Sequence, residues 1–252
     1  MTIRPEPQDF DQRMPLLAHL KELRDRLIRA VLGLVAGSLV GAFIATPVME
    51  YLQSPYGEPF ITLGPTDSVI AYFRVTLLIG AVLSIPIITW QVLMFILPAL
   101  TRKERNVLLI SLPVITLLFV VGVVFAWFIL VPPAIGFLGG FQPTLFRPNW
   151  TADLYLSFVT ALLFWMGVAF QTPLIFFVTA FLGFVTARTL IRNWRIAVIG
   201  SSVAAAIITP TIDPVNMFLV MAPLLALYVL SIGLVALARR ISPVKTESTF
   251  NG

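Results

Sequence analysis

The chain has 252 residues, of which 58% are hydrophobic and only 12% are charged, and its mean hydropathy is +0.95. An average soluble domain is about half apolar and about a quarter charged, so this chain has too few polar side chains to cover a soluble globule or to remain disordered. Cysteine is absent, which excludes disulfides, thiolate nucleophiles and cysteine-ligated metals. A protein that crosses a membrane several times is the class that remains.

Six long charge-free intervals divide the chain, and about 20 apolar helical residues suffice to cross a bilayer core about 30 Å thick. The third interval is too long for one helix, and we expect Val131-Pro132-Pro133 and Gly139-Gly140 to end its helix. The sequence therefore predicts an all-α polytopic membrane protein, a single membrane domain over residues 1–252 with polar tails at 1–15 and 241–252. Its six transmembrane helices are predicted at about residues 23–45, 70–97, 105–130, 153–182, 190–208 and 214–238.

The basic residues are concentrated at one end of this predicted bundle. Fifteen of the 17 lysines and arginines precede the first helix, follow the sixth, or lie in the loops between helices two and three and between helices four and five. The positive-inside rule then predicts that both termini are cytoplasmic, and the pI near 10.0 needs no nucleic-acid partner. We expect a multi-pass protein of the cell (inner/plasma) membrane, without a cleavable leader because its first apolar stretch is long enough to span.

The two long loops at the opposite end, residues 50–69 and 131–152, are rich in proline, glycine and aromatic residues. Proline fixes φ and stiffens such loops, so we expect a packed extracytoplasmic cap, with a binding surface for a partner as the alternative. In helix one, Gly33, Gly37 and Gly41 have the spacing that lets two helix backbones approach closely. These glycines are expected to form a packing face.

Gln171 is expected near the bilayer midplane, where a carboxamide is costly unless it is paired or hydrated. Pro173 follows it closely, and Pro86 occupies a similar place in helix two. Two helices kinked at matched depth would form a concave wall faced by Gln171. A contact between this amide and a neighbouring helix is the alternative.

A short amphipathic segment precedes the first span. Leucines at positions 16, 20, 23 and 27 form one apolar edge, so we expect a helix that runs into the span. Lys21 with Asp25 and Glu22 with Arg26 are spaced as i,i+4 ion pairs. On local grounds this segment is a self-paired surface helix, just as Thr101 to Glu104 is a capping box that starts helix three.

Several segments resemble, in order along the chain, those of the TatC family of twin-arginine translocase proteins. They are HLKELRDRL at 19–27, SP at 54–55, QVLMFILPALTRKER at 91–105, LSF at 156–158, FQTP at 170–173 and the ITP…D segment at 208–213. The resemblance covers essentially the whole chain after about residue 14, with the same six-helix topology and both termini inside.

The resemblance implies a receptor rather than an enzyme, with no cofactor and no metal. TatC family members recognise export signal peptides that carry paired arginines. They assemble with the single-span TatA and TatB proteins to move folded proteins across the membrane. The implied partners are therefore TatA- and TatB-type proteins, twin-arginine signal peptides, the lipid bilayer and further copies of the chain in a homo-oligomer.

The resemblance also implies site residues. The signal-peptide-binding acidic positions of the family match Glu22 and Glu104, its aromatic position matches Phe95, and its arginine after the first glutamate matches Arg24. Carboxylates bind guanidinium groups through paired hydrogen bonds that an ammonium cannot match, which suits this role. We expect Arg26 to hold Glu22 until a signal arginine replaces it.

Three further positions come from the same resemblance. The outer-loop proline of the family matches Pro55, and its late acidic residue matches Asp213. Its intramembrane polar position, often a glutamate, is Gln171 here, so this chain keeps polarity at the midplane and lacks a titrating carboxylate there.

Two other classes of membrane protein fit the sequence less well. A secondary transporter of a small solute requires intramembrane ionisable residues, broken helices or an internal repeat, and no predicted span has a charge near its centre. An intramembrane enzyme would need a catalytic dyad or a metal. The single histidine, His19, lies on the cytoplasmic segment away from any buried serine, so neither a Ser–His dyad nor a zinc site is expected.

Overall fold

A computed structural model describes residues 16–57, 59–96, 102–209 and 213–241, giving backbone alone for 16–19, 96, 102–108, 110 and 241. Apart from one isolated parallel bridge between Ile61 and Thr151, the regular structure of these residues is helical. The helices are α1 (Leu16–Gln53), α2 (Asp67–Ile96), α3 (Arg102–Phe125), a π-helical turn (Ala126–Leu130), α4 (Val131–Gly139), α5 (Ala152–Ala169), α6 (Thr172–Phe181), α7 (Ala187–Arg192), α8 (Trp194–Ile208) and α9 (Pro214–Ile241).

Within the described residues, five helical stretches are long and apolar enough to cross a membrane: Leu20–Gln53, Asp67–Phe95, Ser111–Gly139, Ala152–Phe181 and Pro214–Arg240. The remaining predicted span, the fifth in chain order at about residues 190–208, corresponds to α8, which has 15 residues and is about 22 Å long at 1.5 Å per residue. A bilayer core is about 30 Å thick. The all-helical architecture is confirmed in the described residues, while a sixth crossing and the orientation of the termini remain predictions.

The third helix continues well past the proline pair at which the sequence predicted its end. Helical structure runs from α3 through the π turn into α4, which ends at Gly139. In the π turn the Val131 N–H donates to the carbonyl of Ala126, five residues earlier. Pro132 and Pro133 then fall in the first turn of α4, where a missing N–H costs little. The predicted end near residue 130 is therefore wrong, whereas the second predicted stop, Gly139-Gly140, is where the helical structure ends.

The amphipathic segment continues into the first span without a break, as predicted, and α1 ends at Gln53, beyond the predicted end near residue 45. It packs antiparallel to α2 along its glycine face. A Cβ atom at Gly37 would lie 2.7 Å from the carbonyl oxygen of Gly80, and one at Gly41 would lie 2.9 Å from that of Thr76. Such short distances require the two backbones to be in near contact, as the spacing of the glycines predicted.

The core centres on α5, which packs against α2 and α3 and also contacts α8. Leu156, Val159, Leu162 and Met166 of α5 are fully buried. We call the end of the bundle that carries the start of α1, the end of α2, α7 and the end of α9 the basic end. At the opposite end the two long loops meet at the bridge between Ile61 and Thr151.

Candidate functional site

Glu22 lies on the first turns of α1 at the basic end and already holds an arginine. Arg26, one helical turn later, donates from Nε to Oε1 of Glu22 at 2.9 Å, and its Nη2 donates to the same oxygen. The two side chains are only 21% and 16% exposed. The predicted i,i+4 pair is therefore confirmed. Within the described part of the chain, Oε2 of Glu22 accepts no hydrogen bond. This oxygen therefore remains available to accept one from another donor.

The neighbouring predicted pair is different. The carboxylate of Asp25 accepts from Nε and Nη2 of Arg24 at 3.0 and 2.8 Å rather than pairing with Lys21 among the described residues. Arg24 remains 65% exposed. An exposed pair of this kind is worth about 0–1 kcal/mol, so the Arg24 guanidinium is held only weakly.

Phe95 lies half-buried near the end of α2, at the same end of the bundle as Glu22. A Cβ at Gly33 of α1 would lie 2.8 Å from Cγ2 of Ile87 on α2, which sets the antiparallel register. Phe95 comes eight residues after Ile87, and Asp25 comes eight residues before Gly33. The two therefore lie at about the same depth, and Glu22 is about one helical turn farther along.

Glu104 is the third residue of α3. Its backbone is helical, its side chain lies outside the described residues, and so does Thr101, the first residue of the predicted capping box. α3 begins at the basic end, directly after the segment that follows α2. The fold therefore brings the backbone positions of Glu22, Phe95 and Glu104 to one end of the bundle.

Gln171 lies in a break between α5 and α6, one residue before α6 begins. Its Nε2 donates to the backbone carbonyl of Ile115 on α3 at 3.0 Å, whereas its buried Oε1 has no partner among the described residues. The amide thus makes an interhelical contact, which was the alternative to facing a concave wall. α2 remains helical through Pro86, whereas Phe170 and Gln171 separate α5 from α6 ahead of Pro173, so the two prolines do not interrupt their helices in the same way.

Pro55 and Asp213 lie at the opposite end of the bundle from Glu22. Pro55 is half-buried in the turn after α1 and precedes Tyr56, whose hydroxyl accepts from the Trp150 N–H at 3.2 Å. Asp213 precedes α9 and accepts from the backbone and side-chain nitrogens of Asn216 at 2.7 and 2.9 Å. This is the geometry of a helix N-cap.

The aromatic rings around Tyr56 form a packed cap. The ring of Tyr56 lies 5.3 Å from that of Trp150 and 5.7 Å from that of Tyr155, and Phe60 lies 5.2 Å from Tyr155. These are contact distances for aromatic pairs. The loops therefore pack on one another, as expected of a cap, and an open cleft of about 1040 Å³ beside Pro55 is also present.

One polar contact was missed from the sequence. Arg74 of α2 donates from Nε to Oδ1 of Asp153 and from Nη1 to Oγ of Ser157, both at 2.9 Å. Asp153 is in the first turn of α5, where the helix dipole favours a carboxylate. A signal was present in the sequence, because Arg74 is one of only two bases outside the four basic clusters. The distance of 79 residues from Asp153 hid the pairing.

The geometry can be compared with known proteins. Residues 18–223 match the family model described as the Sec-independent protein translocase protein (TatC). The chain belongs to the TatC family. Its helices also superpose on the crystal structure of a twin-arginine translocase receptor, TatC, with a TM-score of 0.78 and 35% identity, over 87% of this chain and 99% of that one.

Full-length relatives agree with this membership in the TatC family. The chloroplastic TATC protein of Pisum sativum is 36% identical over 234 residues, which are 91% of this chain and 66% of the pea protein. The TatC protein of Synechocystis sp. is 36% identical over 229 residues, which are 90% of each chain. The chain therefore spans slightly less than two thirds of the pea protein and nearly all of the cyanobacterial one.

Membership in the TatC family makes the chain a multi-pass membrane protein and a component of a Sec-independent protein translocase rather than a classical enzyme. Of the features required of a secondary transporter, the described helices contain one, the break at Gln171. The family places the chain with the translocases instead.

Proposed function

We propose that the chain is the signal-peptide receptor and core subunit of a twin-arginine translocase. It binds the paired arginines of export signals and nucleates the complex with TatA- and TatB-type proteins, and with further copies of itself, that moves folded proteins across the membrane. Similar crystal structures are described as twin-arginine translocase receptors. In this proposal Glu22 and Glu104 bind the guanidinium groups, with Arg24 and Phe95 beside them.

The observation that carries the proposal is the arginine already docked on Glu22. A half-buried carboxylate that accepts Nε and Nη2 of Arg26 has the position and the environment to accept the same groups from another arginine. Charge-assisted bonds of this type are roughly twice as strong as neutral ones. Recognition is then an exchange in which a signal arginine replaces Arg26.

The surrounding charge supplies selectivity. Arg24 and Arg29 are exposed around Glu22 on the same helix, so a peptide that carries positive charge without matching geometry is repelled. The apolar part of the signal lies against the groove of about 680 Å³ between α3, α6 and α9, whose lining includes Phe170 and Pro173 on either side of Gln171.

The test is binding of a twin-arginine signal peptide to the purified full-length protein, compared with a twin-lysine version. Glu22→Gln and Glu104→Gln each keep the shape of the side chain and remove its charge, and we expect each to reduce binding by at least tenfold. Glu50→Gln is the matched control, because this exposed glutamate is on the same helix, about 42 Å away at 1.5 Å per residue.

Binding of the arginine peptide that is unchanged in both variants would remove Glu22 and Glu104 from the site. Equal affinity of the wild-type protein for the lysine peptide would contradict the receptor proposal as a whole. All variants are compared only where they elute as monodisperse protein, so a loss of folding is not counted as a loss of binding.

The proposal includes an orientation, with both termini in the cytoplasm of a cell whose inner/plasma membrane holds the protein. Because the chain has no cysteine, single cysteines at Thr189 and Thr144, which are exposed at the basic and the opposite end, report the two sides. In intact cells an impermeant maleimide should label only position 144. Labelling of position 189 alone would invert the topology.

A further inference from the structure

A groove of about 400 Å³ lies between α6, α8 and α9 near the basic end. Phe176, Asn193, Ile196, Gly200 and Tyr228 are among the residues that line it. Its volume lies in the range of small-molecule sites, about 300–1,000 Å³. Ile196 is 68% exposed and Gly200 is also exposed, so the groove opens on the outer surface of the helix bundle.

Basic residues lie next to this groove along the chain, because Arg192 precedes Asn193 and Arg195 precedes Ile196, both of which line it. Arg188, Arg192 and Arg195 are all exposed, and the sequence has no aspartate or glutamate between residues 154 and 212. Arg239 differs, because its guanidinium donates to the backbone carbonyls of Gly183 and Val185 at 2.8 and 3.0 Å. Among the described residues, none of these three arginines forms an ion pair with a carboxylate.

Aromatic residues place these arginines at the level of the lipid headgroups. Trp194, the first residue of α8, is 56% exposed, and the guanidinium carbon of Arg195 lies 5.8 Å from the centre of its ring. Phe184, in the loop before α7, is 80% exposed. Tryptophan beside arginine at a helix end is typical of the membrane–water interface.

We propose that this groove is a binding site for an anionic phospholipid of the leaflet at the basic end. The lipid phosphate binds Arg192 and Arg195, and one acyl chain lies in the groove against Phe176, Ile196 and Gly200. Basic pockets between membrane helices attract anionic headgroups, and the planar guanidinium groups suit a phosphate. The groove supplies an apolar surface for the chain, so charge and shape select the same ligand.

The site is separate from the proposed signal-binding residues. Glu22 and Phe95 lie on α1 and α2, whereas this groove is formed by α6, α8 and α9. The groove proposed for the apolar part of the signal also uses α6 and α9, but the two grooves share no lining residue. The lipid proposal can therefore fail while the receptor proposal stands, and the reverse is also true.

Native mass spectrometry of the full-length protein tests the site. The purified protein is exchanged into detergent with equal amounts of phosphatidylglycerol and phosphatidylcholine, and the retained lipids are counted. We expect the wild type to retain at least threefold more phosphatidylglycerol than phosphatidylcholine. The double variant Arg192→Gln/Arg195→Gln should lose this preference, and Arg147→Gln, which removes an exposed arginine at the opposite end, should keep it.

A second pair of variants tests the groove without changing charge. A Cβ at Gly200 or at Gly233 meets no atom within 4 Å, so a side chain can start at either position without a clash at its Cβ. Both glycines are exposed on helices, and only Gly200 lines the groove. Gly200→Leu should halve, at least, the retained phosphatidylglycerol, and Gly233→Leu should leave it unchanged.

A lipid preference that survives both the double arginine variant and Gly200→Leu would overturn the proposal. So would a wild-type protein that retains the two lipids equally, since the groove would then be a contact for another protein segment or for bulk lipid. Loss of preference in Arg147→Gln to the same degree as in the double variant would show only a response to net charge, and it too would overturn the site.

Discussion

If Arg26 occupies the place of a signal arginine on Glu22, removing Arg26 should make signal binding tighter. In the wild type the contact between Nε and Nη2 of Arg26 and Oε1 of Glu22 must break before a peptide guanidinium takes its place. Arg26→Gln removes this competitor and leaves Glu22 unpaired in the free protein. The free energy of that contact is then no longer lost on binding.

The magnitude follows from the burial of the pair. Exposed i,i+4 ion pairs contribute about 0.3–0.5 kcal/mol, and the range for surface pairs reaches about 1 kcal/mol. With Glu22 21% and Arg26 16% exposed, this pair belongs in the upper part, about 0.5–1 kcal/mol. Since 1.4 kcal/mol is tenfold in affinity, Kd for a twin-arginine peptide should fall about two- to fivefold.

The assay is fluorescence anisotropy of a labelled signal peptide with the purified full-length protein at fixed salt. Arg29→Gln is the matched control, because it removes the same charge from an exposed position three residues farther along α1 without touching Glu22. An equal gain in affinity in both variants would show general repulsion rather than competition. Weaker binding by Arg26→Gln would refute the exchange and make Arg26 part of the binding surface.

Three further outcomes are expected from thermal unfolding in detergent. Gly37→Ala puts a Cβ 2.7 Å from a backbone carbonyl of α2 and should cost about 1–3 kcal/mol. Gly233→Ala places its Cβ in open space and should leave the Tm unchanged or raise it. A similar fall in the Tm of the Gly37→Ala and Gly233→Ala variants would contradict close packing at Gly37. A double-mutant cycle of Arg74→Gln and Asp153→Asn should give a coupling free energy of about 0.5–1 kcal/mol. The coupling should weaken in high salt, because Arg74 is 40% exposed. Zero coupling at low salt would show that their contact contributes nothing to stability. Gln171→Glu should lower the Tm more than Gln171→Met does. A carboxylate cannot donate a hydrogen bond to the carbonyl of Ile115 on α3, and it adds a charge inside the helix bundle. The reverse order of Tm values would mean that the amide contact is unimportant.

Helix positions were predictable where composition alone decides them. The first span, the glycine face of α1 and the Glu22–Arg26 pair all depend on residues close in sequence, and each is confirmed. For the third helix, local rules named two stops, and only the structure shows that the helix passes the prolines and ends at Gly139-Gly140. Proline normally stops a helix, but here a π turn precedes Pro132 and both prolines fall in the first turn of α4.

Contacts between distant residues were the other gap. The pairing of Arg74 with Asp153 joins residues 79 positions apart, and the partner of Gln171 is a backbone carbonyl 56 positions away. Neither the residue types nor their periodicity specifies such a partner, because any nearby helix offers carbonyls and polar groups. The sequence predicted that Gln171 needs a partner and left open which helix provides it.

The sequence by itself determined the class of the protein, since a chain that is 58% hydrophobic and 12% charged cannot be covered with polar groups in water. It also determined the basic clusters at one end, because charge is tolerated only outside the apolar spans. The tertiary structure decided which helices meet, and so it alone brings the positions of Glu22, Phe95 and Glu104 to one end and opens the groove beside Arg192. Helix packing depends on complementary shapes across the bundle, and those shapes do not exist until the helices are assembled.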